Sequence, residues 1–192
     1  PFSLEDMEAG EYVKELQRIG IDSLKIEGRL KGNEYVAATA KYYRALLDGK
    51  KGEDLIHAVR TSFQRKSGPG YLESTGPGHR MITTGAYTGH LGDYIGRISY
   101  VTNHSIEIDT YENIKNRDGL MVLLETKNGM PEPYKFAAKV LYRGRDYVEV
   151  ALDSSVMVEE GMAVYMISDS SLNQKTPSTD LAAIDNGVWF PV

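Results

Sequence analysis

Lys25, Glu27 and Arg29 are the residues of this chain whose types and spacing best suit chemistry. They fall in the run Asp22–Glu27, where Leu24 and Ile26 alternate with Ser23, Lys25 and Glu27. A period of two predicts a strand, with Lys25 and Glu27 on one face and close enough to pair as ions. Arg29 stands just past its end, where a guanidinium can clamp a carboxylate or a phosphate through two parallel hydrogen bonds. The competing reading is a structural ion pair with Arg29 merely solvated, because charged groups inside a fold need partners whatever their role.

Other chemistry is thinly supported. His57, His79, His90 and His104 do not stand at ligand spacing from one another, no HExxH is present, and a structural or solvated role is expected for each. A Ser-His-Asp triad has no GxSxG turn to carry it. The glycines of SGPGYLESTGPGHR match neither a phosphate-binding loop nor a dinucleotide fingerprint. Eight tyrosines lie in or beside the second half, and packing in strands is expected of them before base stacking.

The elements that must position these residues follow from periodicity. Ser3 and Asp6 suggest a helix opening, Tyr12, Val13, Leu16 and Ile19 recur at helical spacing, and Gly20 supplies a stop. Asn33 is the expected cap of a helix over 34–47 that ends at Gly49, and residues 53–65 form a third helix with Leu55, Val59 and Phe63 four apart. One strand among three helices cannot close a sheet, so residues 1–66 read as part of an α/β domain, with the other strands expected upstream. The chain opens at Pro1 rather than Met and is expected to be a piece of a longer protein. Residues 67–92 are dense in Gly, Pro, Ser and Thr and read as a linker.

An internal repeat then begins. The run from Gly96, GRISYVTNHSIEIDTYENIKNRDGLMVL, aligns without a gap on the run from Ala138, AKVLYRGRDYVEVALDSSVMVEEGMAVY, at an offset of 42 residues. Tyr100 falls on Tyr142, Glu107 on Glu149, Gly119 on Gly161 and Val122 on Val164. Each copy reads as three strands, with turns at Thr102-Asn103 and Gly144-Arg145. Six short alternating strands over 93–168 predict a small antiparallel β-barrel with pseudo-two-fold symmetry, since closure removes exposed edges. Residues 169–192 read as a hinge and tail. The fold class expected is α+β: a partial α/β unit followed by the barrel.

Bulk properties set limits. Apolar residues make up 41% and charged residues 26%, ordinary for a globular chain. No cysteine is present, which removes disulfides and thiolate-held metal or iron–sulfur clusters from this chain and suits a cytoplasmic protein. No membrane span is expected. Residues 68–192 hold 10 Lys/Arg against 16 Asp/Glu, a poor surface for unaided nucleic-acid binding.

The stretch GIDSLKIEGRLKGNEYVAATAKYYRALLDG, from Gly20 to Gly49, together with SFQRKSGPGYL, from Ser62 to Leu72, resembles the collagenase-like U32 peptidase family. Lys66 and Ser67 depart from the Gly-Phe that the family usually carries there. The resemblance implies a catalytic domain that is a barrel of parallel strands ringed by helices, of which residues 1–66 would be the last β–α unit. Leu24 and Ile26 would then pack outward, leaving Ser23, Lys25 and Glu27 facing the barrel interior, with Glu27 and Arg29 at the C-terminal end of the strand where barrel enzymes hold their sites. Family members are known as peptidases or collagenases, and others resemble hydroxylases of ribosomal or transfer RNA that use a cysteine-bound iron–sulfur cluster and prephenate. The resemblance places that cluster upstream of this segment, with no cofactor in the chain itself. The partners it implies are the upstream catalytic domain and an RNA or protein substrate. Three readings stay open: peptidase, RNA hydroxylase, and interaction module.

Overall fold

The computed structural model describes residues 3–73, 83–84, 87–126, 129–153 and 155–172. The fold is α+β. Two short strands, β1 (Ser3–Leu4) and β2 (Asp6–Met7), lead into helices α1 (Tyr12–Arg18), α2 (Asn33–Leu47) and α3 (Glu53–Ser62). Then come β3 (Ser67–Gly68), a 3-10 turn over Gly70–Glu73 and β4 (Thr83–Thr84). The second half holds β5 (Asp93–Val101), β6 (Ser105–Asp109), β7 (Gly119–Leu124), β8 (Glu132–Ala137), β9 (Val140–Arg143), β10 (Tyr147–Ala151) and β11 (Ala163–Ser168). Among the described residues no helix is long and apolar enough to cross a membrane.

The chain start departs from expectation. Residues 3–7 open no helix; β1 pairs antiparallel with β4 and β2 pairs parallel with β3, so their N–H groups are spent on strand partners. At the other end of α1, Gly20 at φ +90° lets its own N–H reach the Gln17 carbonyl at 3.1 Å and the Ile21 N–H reach Leu16 at 3.0 Å. That double closure satisfies carbonyls that a helix end would otherwise leave bare. Helix α2 starts at Asn33 itself, with Gly32 before it and no side-chain cap, and α3 stops at Ser62, where Phe63 turns extended.

Residues 21–28, including the run expected as a strand, have no regular hydrogen-bonded structure, and Leu24 and Ile26 stand about two-fifths exposed. The alternation is a strand pattern that has no neighbouring strand among the described residues. An isolated strand leaves its N–H and C=O groups to water and gains nothing from the pattern.

Val13, Tyr42 and Leu46 form the buried centre of the helical layer, with Leu55, Ile56 and Val59 packed against them. Tyr43 ties α2 to the loop before α1, its hydroxyl accepting the N–H groups of Ala9 at 3.1 Å and Gly10 at 3.4 Å. Burial pushes the Tyr43 hydroxyl above the ordinary phenol range. Tyr43→Phe is expected to lower stability by about 1 kcal/mol, read from a urea melt, because both N–H groups lose their acceptor.

The seven long strands form one antiparallel sheet in the order β8-β7-β11-β5-β6-β10-β9. Seven appear instead of six because the chain over 132–143 pairs twice: β8 lies on β7 and β9 lies on β10. Those two strands sit at opposite ends of the sheet order yet are joined by Ala138 and Lys139 alone, so the sheet curls. Ile98, Ile106, Ile108, Leu120, Val122, Val148, Val150 and Val164 fill its inner face. Each contributes about 1.5–3 kcal/mol by leaving water. Helix α3 packs against β5 and β11, which brings the helical layer onto the sheet.

Candidate functional site

The loop after α1 carries the three residues singled out by sequence. Lys25 Nζ lies 3.0 Å from Glu27 Oε2, and the Arg29 N–H approaches Glu27 Oε1 at 3.4 Å. The Lys25 ammonium, and then the Arg29 N–H, hold the Glu27 carboxyl below its usual range. All three side chains face solvent rather than an interior. Among the described residues the Arg29 guanidinium has no hydrogen bond or ion pair, so its fork is available to an anion. The chain then turns through Leu30, at φ +64°, a conformation costly for a side-chain-bearing residue. Next, Lys31 lays its Nζ 3.0 Å from the centre of the Phe63 ring, and burial lowers its pKa. Phe63 in turn stacks on His90 with ring centres 5.3 Å apart.

A second constellation, which sequence reasoning missed, sits where α3 meets the sheet. His57 Nδ1 lies 2.7 Å from Asp93 Oδ2 on β5, and its Nε2 lies 3.8 Å from Asp169 Oδ2 just after β11. One turn along α3, Arg60 reaches the other Asp93 oxygen at 3.5 Å and Glu8 at 3.4 Å. Lys115 reaches Asp169 at 3.7 Å and the Ser171 hydroxyl at 2.9 Å. The hydrogen bond that His57 donates to Asp93 raises the His57 pKa, against a smaller opposing effect of burial. Burial alone would raise the Asp169 carboxyl, but the Ser171 hydroxyl and N–H, with Lys115 and His57, bring it below its ordinary value. The spacing of His57 and Arg60 on one helix face was the available signal. Their partners, 33 residues or more away, had none.

An open cleft of about 480 Å³ adjoins this junction, with Glu8, Tyr12, Arg60, Gln64, Asp93 and Tyr165 among its walls. Its charges are largely spent on each other: Arg60 on Glu8 and Asp93, Glu8 also on the Ser67 hydroxyl at 2.7 Å, and the Tyr12 hydroxyl on Glu73. His90 is structural here, its Nδ1 accepting the Gln64 N–H at 3.0 Å and its Nε2 donating to the Ile167 carbonyl at 3.1 Å. His104 stands in the turn between β5 and β6, exposed, and His79 lies outside the described residues.

Residues 1–81 match the model of peptidase family U32. The chain carries a U32 family segment. That segment takes in α1 to α3 and the Lys25–Arg29 loop. A relative, tRNA hydroxylation protein P of Haemophilus influenzae, is 36% identical over 69 residues, which cover 35% of this chain and 15% of that protein. No solved structure matches the chain.

An iron–sulfur cluster of the kind the U32 resemblance implies does not fit this chain, which has no cysteine to hold it. Nor does any group of three or more His, Asp or Glu side chains among the described residues lie where it could hold a metal ion.

The outer face of the sheet carries Tyr94, Tyr100 and Tyr142, whereas Tyr134 packs against the core. Tyr100 and Tyr142 are more than half exposed, so packing in a core is not their role. Tyr100 stands opposite Glu107, Glu107 opposite Glu149, and Glu149 opposite Tyr142. Arg143 is occupied by the carbonyls of Glu112 and Ile114. An acidic pair at the centre of that row disfavours a nucleic-acid backbone.

Proposed function

We propose that this chain is part of a U32 protein that hydroxylates RNA, with tRNA as the substrate class, and that it acts in the cytoplasm. The observation that carries this reading is the 36% identity to a protein named for tRNA hydroxylation. The name favours RNA modification over peptide hydrolysis. The chemistry would then need groups outside this sequence, a reading supported by the lack of cysteine and by the small part of the relative that the match spans.

Within that reading the Lys25–Arg29 loop is the chain's contribution to the site. Glu27, kept ionised by Lys25, would orient the loop through the Arg29 N–H, and the Arg29 fork would take a carboxylate or phosphate group of a small co-substrate or of the RNA. The exposed apolar residues around it, Ile19, Ile21, Leu24, Ile26 and Leu30, suit a face covered by the remaining strands and helices of a catalytic domain.

The sheet would be an accessory module that helps position substrate, built as a pseudo-two-fold barrel. Two equal hairpin registers support that reading. Ile98 faces Ile108 and Tyr100 faces Glu107; 42 residues on, Val140 faces Val150 and Tyr142 faces Glu149, with one residue bulged out in each case. The Arg117 N–H to Ala138 carbonyl bond, at 2.8 Å, extends the pairing between the start of β7 and the β8–β9 corner.

The test uses the full-length protein purified without oxygen. It is expected to contain iron that depends on cysteines outside this sequence, and to restore hydroxylation of tRNA from a strain lacking it. Arg29→Ala should reduce that activity about 10- to 100-fold, the worth of a charge-assisted hydrogen bond, without changing iron content or melting temperature. Arg29→Lys should rescue little, since a point charge cannot replace the planar fork. An iron-free protein that cleaves gelatin and leaves tRNA unmodified would sink the hydroxylase reading.

A further inference from the structure

His57 stands between two carboxylates, one at each ring nitrogen: Asp93 at 2.7 Å from Nδ1 and Asp169 at 3.8 Å from Nε2. Both carboxylates are largely buried, 16% and 13% exposed, and the imidazole is 25% exposed. A neutral imidazole has one N–H and one lone pair, so it can offer a donor to only one of them. The doubly protonated ring offers a donor to each.

The three groups belong to different parts of the fold. His57 is on α3, in the U32 segment; Asp93 opens β5; Asp169 follows β11. The remaining charges around the ring do not substitute for it. Glu112, from the loop after β6, adds a third negative charge, while Arg60 contacts Asp93 from α3 and Lys115 contacts Asp169 from the loop before β7. Removing the His57 proton therefore turns a lone pair toward a buried carboxylate in a neighbourhood of three acids and two bases.

We propose that His57 is a proton-dependent latch, which as an imidazolium bridging Asp93 and Asp169 fastens α3 and the U32 segment to the sheet, and which on losing a proton releases one carboxylate and loosens that junction. The sign follows from the raised pKa. Stability contributed by the bridge is complete below the ordinary histidine value of 6.5 and is lost as pH rises through the higher value in the folded protein. Asp169 is shifted the other way, so its contribution fails only in acid, well away from this window.

The test is a pair of measurements on the full 192-residue chain from pH 6 to 9. Nitrogen-15 NMR of the imidazole should show both His57 ring nitrogens protonated at the acid end of that range, with a titration midpoint above that of free histidine. Hydrogen exchange, corrected for its intrinsic pH dependence, should show α3 amides losing protection through that midpoint, about tenfold for each pH unit separating the two midpoints, while β6 and β10 amides hold theirs. His57→Gln should flatten the pH dependence of α3. Asp169→Asn, which keeps the shape and removes one charge, should move the His57 midpoint down. A midpoint at or below that of free histidine would overturn the proposal. So would α3 protection in His57→Gln, or in Asp169→Asn if His57→Gln does not fold, that keeps the wild-type pH dependence.

Discussion

Gly96→Ala is expected to destabilise the seven-stranded sheet severely. Gly96 lies in the middle of β5 at φ +153°, a backbone region that essentially only glycine occupies at about 1–3 kcal/mol less cost than other residues. Space is lacking too. A Cβ at this position would run into the Asp109 carbonyl oxygen and come within 3.3 Å of the Thr110 side chain. The obstruction is main chain of β6, so relief requires the strands to part, and β5 is hydrogen-bonded to β6 on one side and to β11 on the other. A total loss of at least about 3 kcal/mol follows from strain plus steric displacement. That is a large part of the 5–15 kcal/mol typical of a domain. Far-ultraviolet circular dichroism and a thermal melt will show it as a lost or sharply lowered transition. A variant melting within a few degrees of wild type would mean that β5 does not run through this narrow place.

Asp118→Ala is expected to cost about 2–6 kcal/mol, from two orphaned donors at about 1–3 kcal/mol each. Asp118 is fully buried just before β7, and its carboxylate oxygens accept the Lys115 N–H at 2.7 Å and the Ser170 N–H at 2.8 Å. Its own carbonyl accepts the Ala138 N–H at 2.7 Å. One residue thus pins the turn before β7, the corner between β8 and β9, and the segment after β11. Asp118→Asn keeps one carbonyl oxygen but turns the other acceptor into a donor facing an N–H, so an intermediate loss is expected. Guanidinium melts of the two variants will give the order wild type, Asn, Ala. Because Ser170 adjoins Asp169, the alanine variant should also weaken the contact between Asp169 and His57. A loss under about 0.5 kcal/mol would place Asp118 among ordinary surface substitutions.

The helices were legible because their cause is local. The spacing of Tyr12, Val13, Leu16 and Ile19, the position of Asn33 and the stops at Gly20 and Gly49 mark the end of α1 and both ends of α2 within a residue or two. The hairpins β5–β6 and β9–β10 were legible for the same reason, since alternation and turn residues are read within a dozen positions, but β8 and the pairings between distant strands were not. Expectation failed where a pattern lacked its partner. Residues 22–27 alternate as a strand should, but no neighbouring strand within the described residues gives them hydrogen bonds, so they stay irregular and Lys25, Glu27 and Arg29 face solvent. Ser3 and Asp6 look like a helix opening until β3 and β4, more than sixty residues away, take up that backbone.

The junction shows the same division. The sequence by itself determined the α+β composition, the offset repeat and the absence of any thiolate ligand, because each depends on residue types and their order along the chain, and it carried the likeness to peptidase family U32. Tertiary structure alone decided that His57 meets Asp93 and Asp169, that Asp118 is buried beneath two N–H groups, and that Tyr100 and Tyr142 face outward. Those outcomes depend on strand order and on a bulge beside each tyrosine. A single residue of slip reverses which face a side chain takes, and a contact across dozens of residues leaves no periodic trace in the chain.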